Sequence, residues 1–339
     1  MLKSNRLCQI LGIQYPIVQA AMNWITGADL AAAVSSAGGL GTLGPNAGAD
    51  TVTTDVAETG ERLRRQIRKV KSLTTRPFAV NFPIGMEGVE QPEGGRKYSQ
   101  RCIEVALEER IPIAVTSVGS PSVYTKVLKD AGIKVLHAVS TVSQAKKAED
   151  TGVDAVICEG YEGGGHKALT ELTTMVMVAM AADAVKIPIV AGGGIADARG
   201  IVAALALGAD GVYIGTRFVA TRECDAHPRV KQAVLGAYDA CTVSVNKWIM
   251  VGRDLKNAFT QKYLEMQEAG APDEERFRFL GEHTMYQALV QGDTDEGELP
   301  CGQNAGIIND LLSAAEVIEN MVAEIPSVFE GLKSKLSVP

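Results

Sequence analysis

The stretch Ile187–Arg217, IPIVAGGGIADARGIVAALALGADGVYIGTR, decides the fold. Its β-branched run Ile187–Val190 ends in three glycines, Gly192, Gly193 and Gly194. A helical pattern then runs from Asp197 to Leu207. A second apolar run, Gly211–Ile214, stops at Gly215-Thr216. The order strand, glycine turn, helix, strand, glycine turn is one βαβ unit. Where each strand stops, a turn without Cβ atoms lets a ligand approach backbone N–H groups. Two such turns side by side suit a phosphate. In a (β/α)8 barrel that site follows strands seven and eight.

Six further βα units precede this one. The expected strands are Ile17–Ala21, Leu40–Leu43, Phe78–Phe82, Ile113–Thr116, Val135–Val139 and Ala155–Cys158. All are continuous apolar runs, as strands covered on both faces should be. The reading is therefore a closed α/β (β/α)8 TIM barrel. A doubly wound open sheet is the weaker alternative. It would place a glycine fingerprint at the first βα turn, which here reads Ala21-Met22-Asn23.

A barrel takes about 250 residues, and the chain has 339. Residues 1–217 are assigned to the barrel and 218–291 to a helical lid domain without regular β runs. Residues 292–339 are read as a return segment and a helix, Ile307–Ile325, docking on the barrel. The segment Gly85–Arg96 is expected to form a long loop above the barrel.

Thirty-three Lys+Arg against 40 Asp+Glu give a net charge of −7. No basic stripe interleaved with aromatics occurs, which argues against nucleic acid as a partner. The basic run Arg62–Lys71 carries Leu63, Ile67 and Val70 at helical spacing and reads as a solvated helix face. The six cysteines form no CxxC pair and no zinc pattern. A reduced, cytoplasmic protein is expected. No apolar run approaches the roughly 20 residues of a membrane span, so no membrane partner is expected.

The strand ends collect Ala21, Met22, Asn23, Asn81, Ser117, His137, Glu159, Gly160, Gly192–Gly194, Gly215 and Thr216. These are amides, small residues and glycines. Paired glycosidase acids and a cluster for a divalent metal are both missing from the set. A large planar ligand with one phosphate fits it, and flavin mononucleotide (FMN) meets that description. His166 directly follows Gly163–Gly165 and is the candidate proton-transfer residue. His137 reads as packed within its strand, His227 as a helix-start residue and Cys158 as a core thiol.

The segments YPIVQAAM (15–22), EGGGH (162–166), AGGGIADARG (191–200) and GADGVYIGTRF (208–218), with QGDTDEG (291–297), resemble the nitronate monooxygenase family. That family includes FMN-dependent enoyl-acyl-carrier-protein reductases and NAD(P)H:quinone reductases. The resemblance implies a barrel with non-covalent FMN, its phosphate near Gly193, Gly194, Gly215 and Thr216. It implies ring contacts at Ala21, Met22, Asn81 and Glu159, with Asn23, Gly160, Gly165 and Gly192 beside them, and a functional His166. The segment Gly164–Met175 leans towards the enoyl reductases, and Thr216–Pro228 towards the quinone reductases. Ala138 departs from the lysine frequent in the latter. Inosine-monophosphate dehydrogenases share the glycine turns but need a cysteine in the loop that here reads Glu162–His166.

The expected activity is NADH- or NADPH-dependent reduction of a small-molecule acceptor, an activated alkene or a quinone. Oxidation of nitronates by oxygen is the second expectation, and non-catalytic flavin binding the third. Trp24, Phe82, Trp248 and Met250 are candidates to line the acceptor pocket or to pack the core. Oligomeric state stays open, with a homodimer as the default because two-fold assemblies are commonest.

Overall fold

The computed structural model describes residues 5–85, 96–247 and 250–336. Most of the Gly85–Arg96 loop, and Trp248, lie outside the described residues.

The strands in chain order are β1 (Ile17–Gln19), β2 (Gly41–Leu43), β3 (Phe78–Pro83), β4 (Ile113–Ser117), β5 (Lys134–Val139) and β6 (Ala155–Glu159), then β7 (Gly165–Lys167), β8 (Ile189–Gly192), β9 (Gly211–Ile214), β10 (Thr242–Lys247) and β11 (Met250–Leu255). Eight are parallel, ordered β1-β9-β8-β6-β5-β4-β3-β2. The ends of that row meet. Val18 bridges Leu40, Leu40 N–H donates to Ile17 O, and Gln19 N–H donates to Leu40 O, the last two at 2.9 Å. The sheet is a closed barrel with helices outside, so the expected fold class holds.

Strand alternation divides the core in two. Val18, Leu40, Ala79, Val115, Leu136, Ile157, Val190 and Tyr213 fill the barrel itself. The opposite faces pack against the helices, as Val80, Ala114, Val135, Val156 and Val212 do. The helix Arg6–Leu11, capped by the Asn5 side chain, closes the amino-terminal end with Leu7, Cys8 and Leu11. Burying each leucine there contributes about 1.5–3 kcal/mol. Arg6 locks the plug through both guanidinium edges, to Asp210 at 2.7 and 2.8 Å and to Lys186 O at 2.9 Å.

Two features depart from the sequence reading. The segment 218–291 is not wholly helical, because β10 and β11 form a hairpin inside it, and β11 also pairs with β7. Thr242, Val243 and Val245 have the β-branched alternation of a strand, a short signal beside the stronger helical patterns around it. Secondly, the last helix spans Ala314–Leu336, not Ile307–Ile325. Its start is set by Ser313 and Glu316: Glu316 N–H donates to Ser313 Oγ at 3.2 Å, and Ser313 N–H to Glu316 Oε2 at 2.7 Å. That reciprocal cap outweighs the apolar run before it; Gln303–Ile307 forms a 3₁₀ turn, and Leu312 bridges Thr221. The helix packs on Ala28–Ser36 and Ala198–Ala206. Among the described residues no helix is long and apolar enough to cross a membrane.

Candidate active site

Side chains alternate along a strand, so the residue two beyond each core position faces the same way. Beyond Ala79, Val115, Leu136, Ile157 and Val190 come Asn81, Ser117, Ala138, Glu159 and Gly192 at the carboxyl-end mouth. Ala20 and Met22 follow Val18 in the same way. Several of these are small, which leaves room for a flat ligand. Asn81 is held by its amide, Nδ2 donating to Val115 O at 3.2 Å and to Ser117 Oγ at 3.3 Å. Its Oδ1 is the group left to accept from a ligand N–H. Ala21 N–H donates to Tyr213 Oη at 3.0 Å and Met22 N–H to Thr26 Oγ1 at 3.1 Å, so both backbone donors are already engaged. Asn23 Oδ1 accepts from Asn46 Nδ2 at 3.1 Å, which ties the first two βα loops together. Burial pushes the Glu159 carboxyl above the usual carboxylate range, and the nearby Lys167 ammonium pulls it back.

The glycines divide by task. Gly193 turns at φ +103°, and a Cβ there would lie 2.7 Å from Thr174 Oγ1 and 3.0 Å from Gly160 O, so packing demands the glycine. A Cβ on Gly160 would lie 2.1 Å from Thr174 Oγ1, which commits Gly160 to the same packing. Gly194 (φ +73°) is exposed, and a Cβ on Gly215 would meet only ordinary contacts, Ala20 Cβ at 3.5 Å and Met22 Sδ at 3.7 Å. These two leave backbone open towards the mouth, the arrangement a phosphate needs. Thr216 Oγ1 accepts from Gly302 N–H at 3.0 Å. The start of the helix Thr174–Ala184 is taken by the protein's own anion: Glu162 accepts from Thr174 N–H at 2.8 and 3.0 Å.

His166 sits on β7, an arm laid beside the mouth. Gly165 (φ +74°) bends the chain into it, and β11 holds it, with His166 opposite Gly252 and Gly165 opposite Arg253. His166 Nε2 lies 3.3 Å from Glu298 Oε1, whose carboxylate is nearly buried. Arg253 braces the arm from below, Nε donating to Tyr161 O at 2.9 Å and the guanidinium standing 4.8 Å from the centre of the Tyr161 ring. The sequence reading missed Glu298, Arg253 and Lys167. Only Lys167, next to His166, had a local signal.

The remaining candidates are placed away from chemistry. His137 is buried with Nδ1 2.8 Å from Thr116 Oγ1, and burial pushes its pKa down to about 4. His227 caps the helix Pro228–Leu235, accepting from Arg229 N–H at 3.2 Å. Cys158 is buried in β6, its thiol pushed up to about 12 by burial. Trp24 and Phe82 are core residues, with the Trp24 ring centre 4.9 Å from that of Tyr286. Met250 is half-buried at the start of β11. Among the described residues, no group of His, Cys, Asp and Glu could hold a metal ion.

The closed βα barrel with glycine turns at its last two strands is the frame of a flavin-dependent oxidoreductase, the class of the proteins it matches. The family model described as nitronate monooxygenase matches residues 4–324, and the chain belongs to that family. It is 32% identical to a nitronate monooxygenase of Pseudomonas aeruginosa, over 95% of this chain and 99% of that protein. It is also 32% identical to a hydroxy-methyl-oxo-octahydroindene-carboxyl-CoA dehydrogenase of Rhodococcus jostii, over 94% of each. Among solved structures it is similar to FabK of Thermotoga maritima, at 35% identity and a TM-score of 0.86, covering 98% of this chain and 99% of that one.

Proposed function

We propose that the chain is an FMN-dependent reductase that takes hydride from NADH or NADPH and delivers it to an activated alkene, such as an enoyl thioester, or to a quinone. The observation that carries this reading is the His166 arm, seated beside the mouth by β11 and aimed by a nearly buried carboxylate. When bound, the flavin supplies the two-electron redox chemistry, and the protein supplies placement and proton handling. Gly194, Gly215 and Thr216 hold the phosphate. Asn81 and Glu159 meet the polar edge of the ring, Asn81 through its free amide oxygen. His166 gives the proton to the acceptor from Nδ1, while Glu298, beside Nε2, fixes the ring plane. The relative named as a carboxyl-CoA dehydrogenase supports a thioester in the acceptor's place.

The likeness to a nitronate monooxygenase over nearly the whole chain favours a second reading, oxidation of alkyl nitronates with oxygen. There His166 takes a proton or positions the nitronate. Anaerobic stopped-flow on the yellow protein separates the two. Rapid bleaching by NADH or NADPH, with reoxidation by an enoyl thioester or quinone, supports the reductase. Bleaching by a nitronate alone, with none by either nicotinamide, overturns it in favour of the oxygenase.

A further inference from the structure

One nearly buried charge of the site, Lys167, has no part in the chemistry described above. Lys167 is 6% exposed, although lysines rarely lie so deep unless paired. It follows His166 on β7, so its side chain leaves the opposite face of the arm. Its Nζ donates to Gly163 O and, at 3.1 Å, to Gly165 O. Both carbonyls belong to the turn that carries His166. Gly163 N–H in turn donates to Gly160 O at 3.1 Å, and a Cβ on Gly163 would stand 3.5 Å from Gly193 Cα and 3.7 Å from Lys167 Nζ. The ammonium therefore lies where the arm, the end of β6 and the turn after β8 meet. The charged groups facing it are Glu159 from β6, Glu162 from the turn, and Arg253 and Asp254 from β11.

A lysine used only to fill space would not need its head group at two carbonyls of one turn. We propose that Lys167 is a positioning residue whose ammonium pins the Gly163–Gly165 turn and so fixes where the His166 imidazole points. Charge-assisted bonds to carbonyls are stronger than neutral ones, so the pin depends on the ammonium staying charged. Burial, opposed by Glu159, brings that pKa down to about 8. Below that pH the pin is charged, and above it the turn is held by a neutral amine.

The structural half of this inference stands on the geometry alone, and its catalytic half rests on the reductase reading above. Both are tested on the flavin-loaded full chain. Hydrogen exchange of the amides of residues 163–167, corrected for intrinsic rate, is compared in wild type, Lys167→Met and Lys167→Arg below and above pH 8. In Lys167→Met the exchange should be about tenfold faster than in wild type below pH 8, the weight of one charge-assisted bond, with no further step above it. In wild type it should quicken only above pH 8, and in Lys167→Arg, which stays ionised, it should show no such step. Turnover of Lys167→Met should fall about 10²-fold in kcat with KM for the nicotinamide held, the cost of a misplaced proton donor, and Lys167→Arg should recover most of it. Unchanged exchange in Lys167→Met overturns the pin whatever the turnover does. If Lys167→Met fails to fold, the wild-type step and its absence in Lys167→Arg decide, and a wild type without the step overturns the inference. A wild type that no nicotinamide reduces sinks the reductase reading and leaves the exchange result standing.

Discussion

His166 Nε2 and Glu298 Oε1 stand 3.3 Å apart, the imidazole partly open to solvent and the carboxylate 7% exposed. The backbone that follows Glu298 is held to β11, since Leu255 N–H donates to Leu299 O at 2.9 Å and Asp254 bridges Pro300. The imidazole is therefore aimed from a rigid wall. Replacing His166 with Ala should leave flavin bound and lower kcat by about 10²–10⁴-fold, the usual weight of a positioned acid or base. Glu298→Gln, which keeps the shape but removes the charge, should lower kcat by a smaller factor at unchanged flavin content. Steady-state kinetics beside the visible spectrum checks both. Full activity in His166→Ala rejects the assignment.

The two glycines after β8 should respond differently to alanine. At Gly193 the added Cβ would meet Thr174 Oγ1 at 2.7 Å and a backbone carbonyl at 3.0 Å, and φ is +103°. Gly193→Ala should displace the turn and release the flavin on dialysis. At Gly194 the nearest atom is Glu162 Cβ at 3.4 Å, so the cost is mainly that of φ +73°, about 1–2 kcal/mol. Gly194→Ala should melt slightly earlier yet keep most of its flavin. Equal retention in the two variants would contradict the division of tasks among these glycines.

His137 gives the fold a defined acid sensitivity. Its pKa is lowered from 6.5 to about 4 by burial. Above pH 6.5 the folded and unfolded chains both carry it neutral, and full stability is present. As pH falls from there towards 4, the unfolded chain binds the proton and the folded one does not, so stability drops. Below 4 the slope ends. The whole loss is about 3 kcal/mol. Denaturant melts across that window should show a shallower slope in His137→Asn than in wild type, and parallel slopes would refute the origin in this residue.

Val118, just beyond β4, holds φ +52°, a left-handed conformation that a β-branched residue adopts at a cost. It is 36% exposed, so little packing is lost on replacement. Val118→Asn should stabilise the protein by about 1 kcal/mol, because asparagine tolerates that conformation. A melting temperature that stays level or falls would show that its neighbours favour the valine.

The barrel was legible because each unit announces itself locally: an apolar run, a glycine or amide at its end, then a capped helix. Gly192–Gly194 and Gly215 stood out for the same reason. Glu298, Arg253 and Lys167 were not legible as a group. Their meeting depends on β7 pairing with β11, and no local pattern encodes the partner of a three-residue strand. Gly160 and Gly193 show the converse limit. A glycine reads alike whether a ligand or a neighbouring threonine needs the space, and at these two positions an added Cβ would meet Thr174.

The plug formed by Leu7, Cys8 and Leu11 shuts the amino-terminal end, so among the described residues the carboxyl-end mouth is the doorway. On the proposed reductase reading, electron donor and acceptor share that threshold and are expected to take it in turn. Such a turnstile has a kinetic signature: double-reciprocal plots for the two substrates run parallel instead of converging.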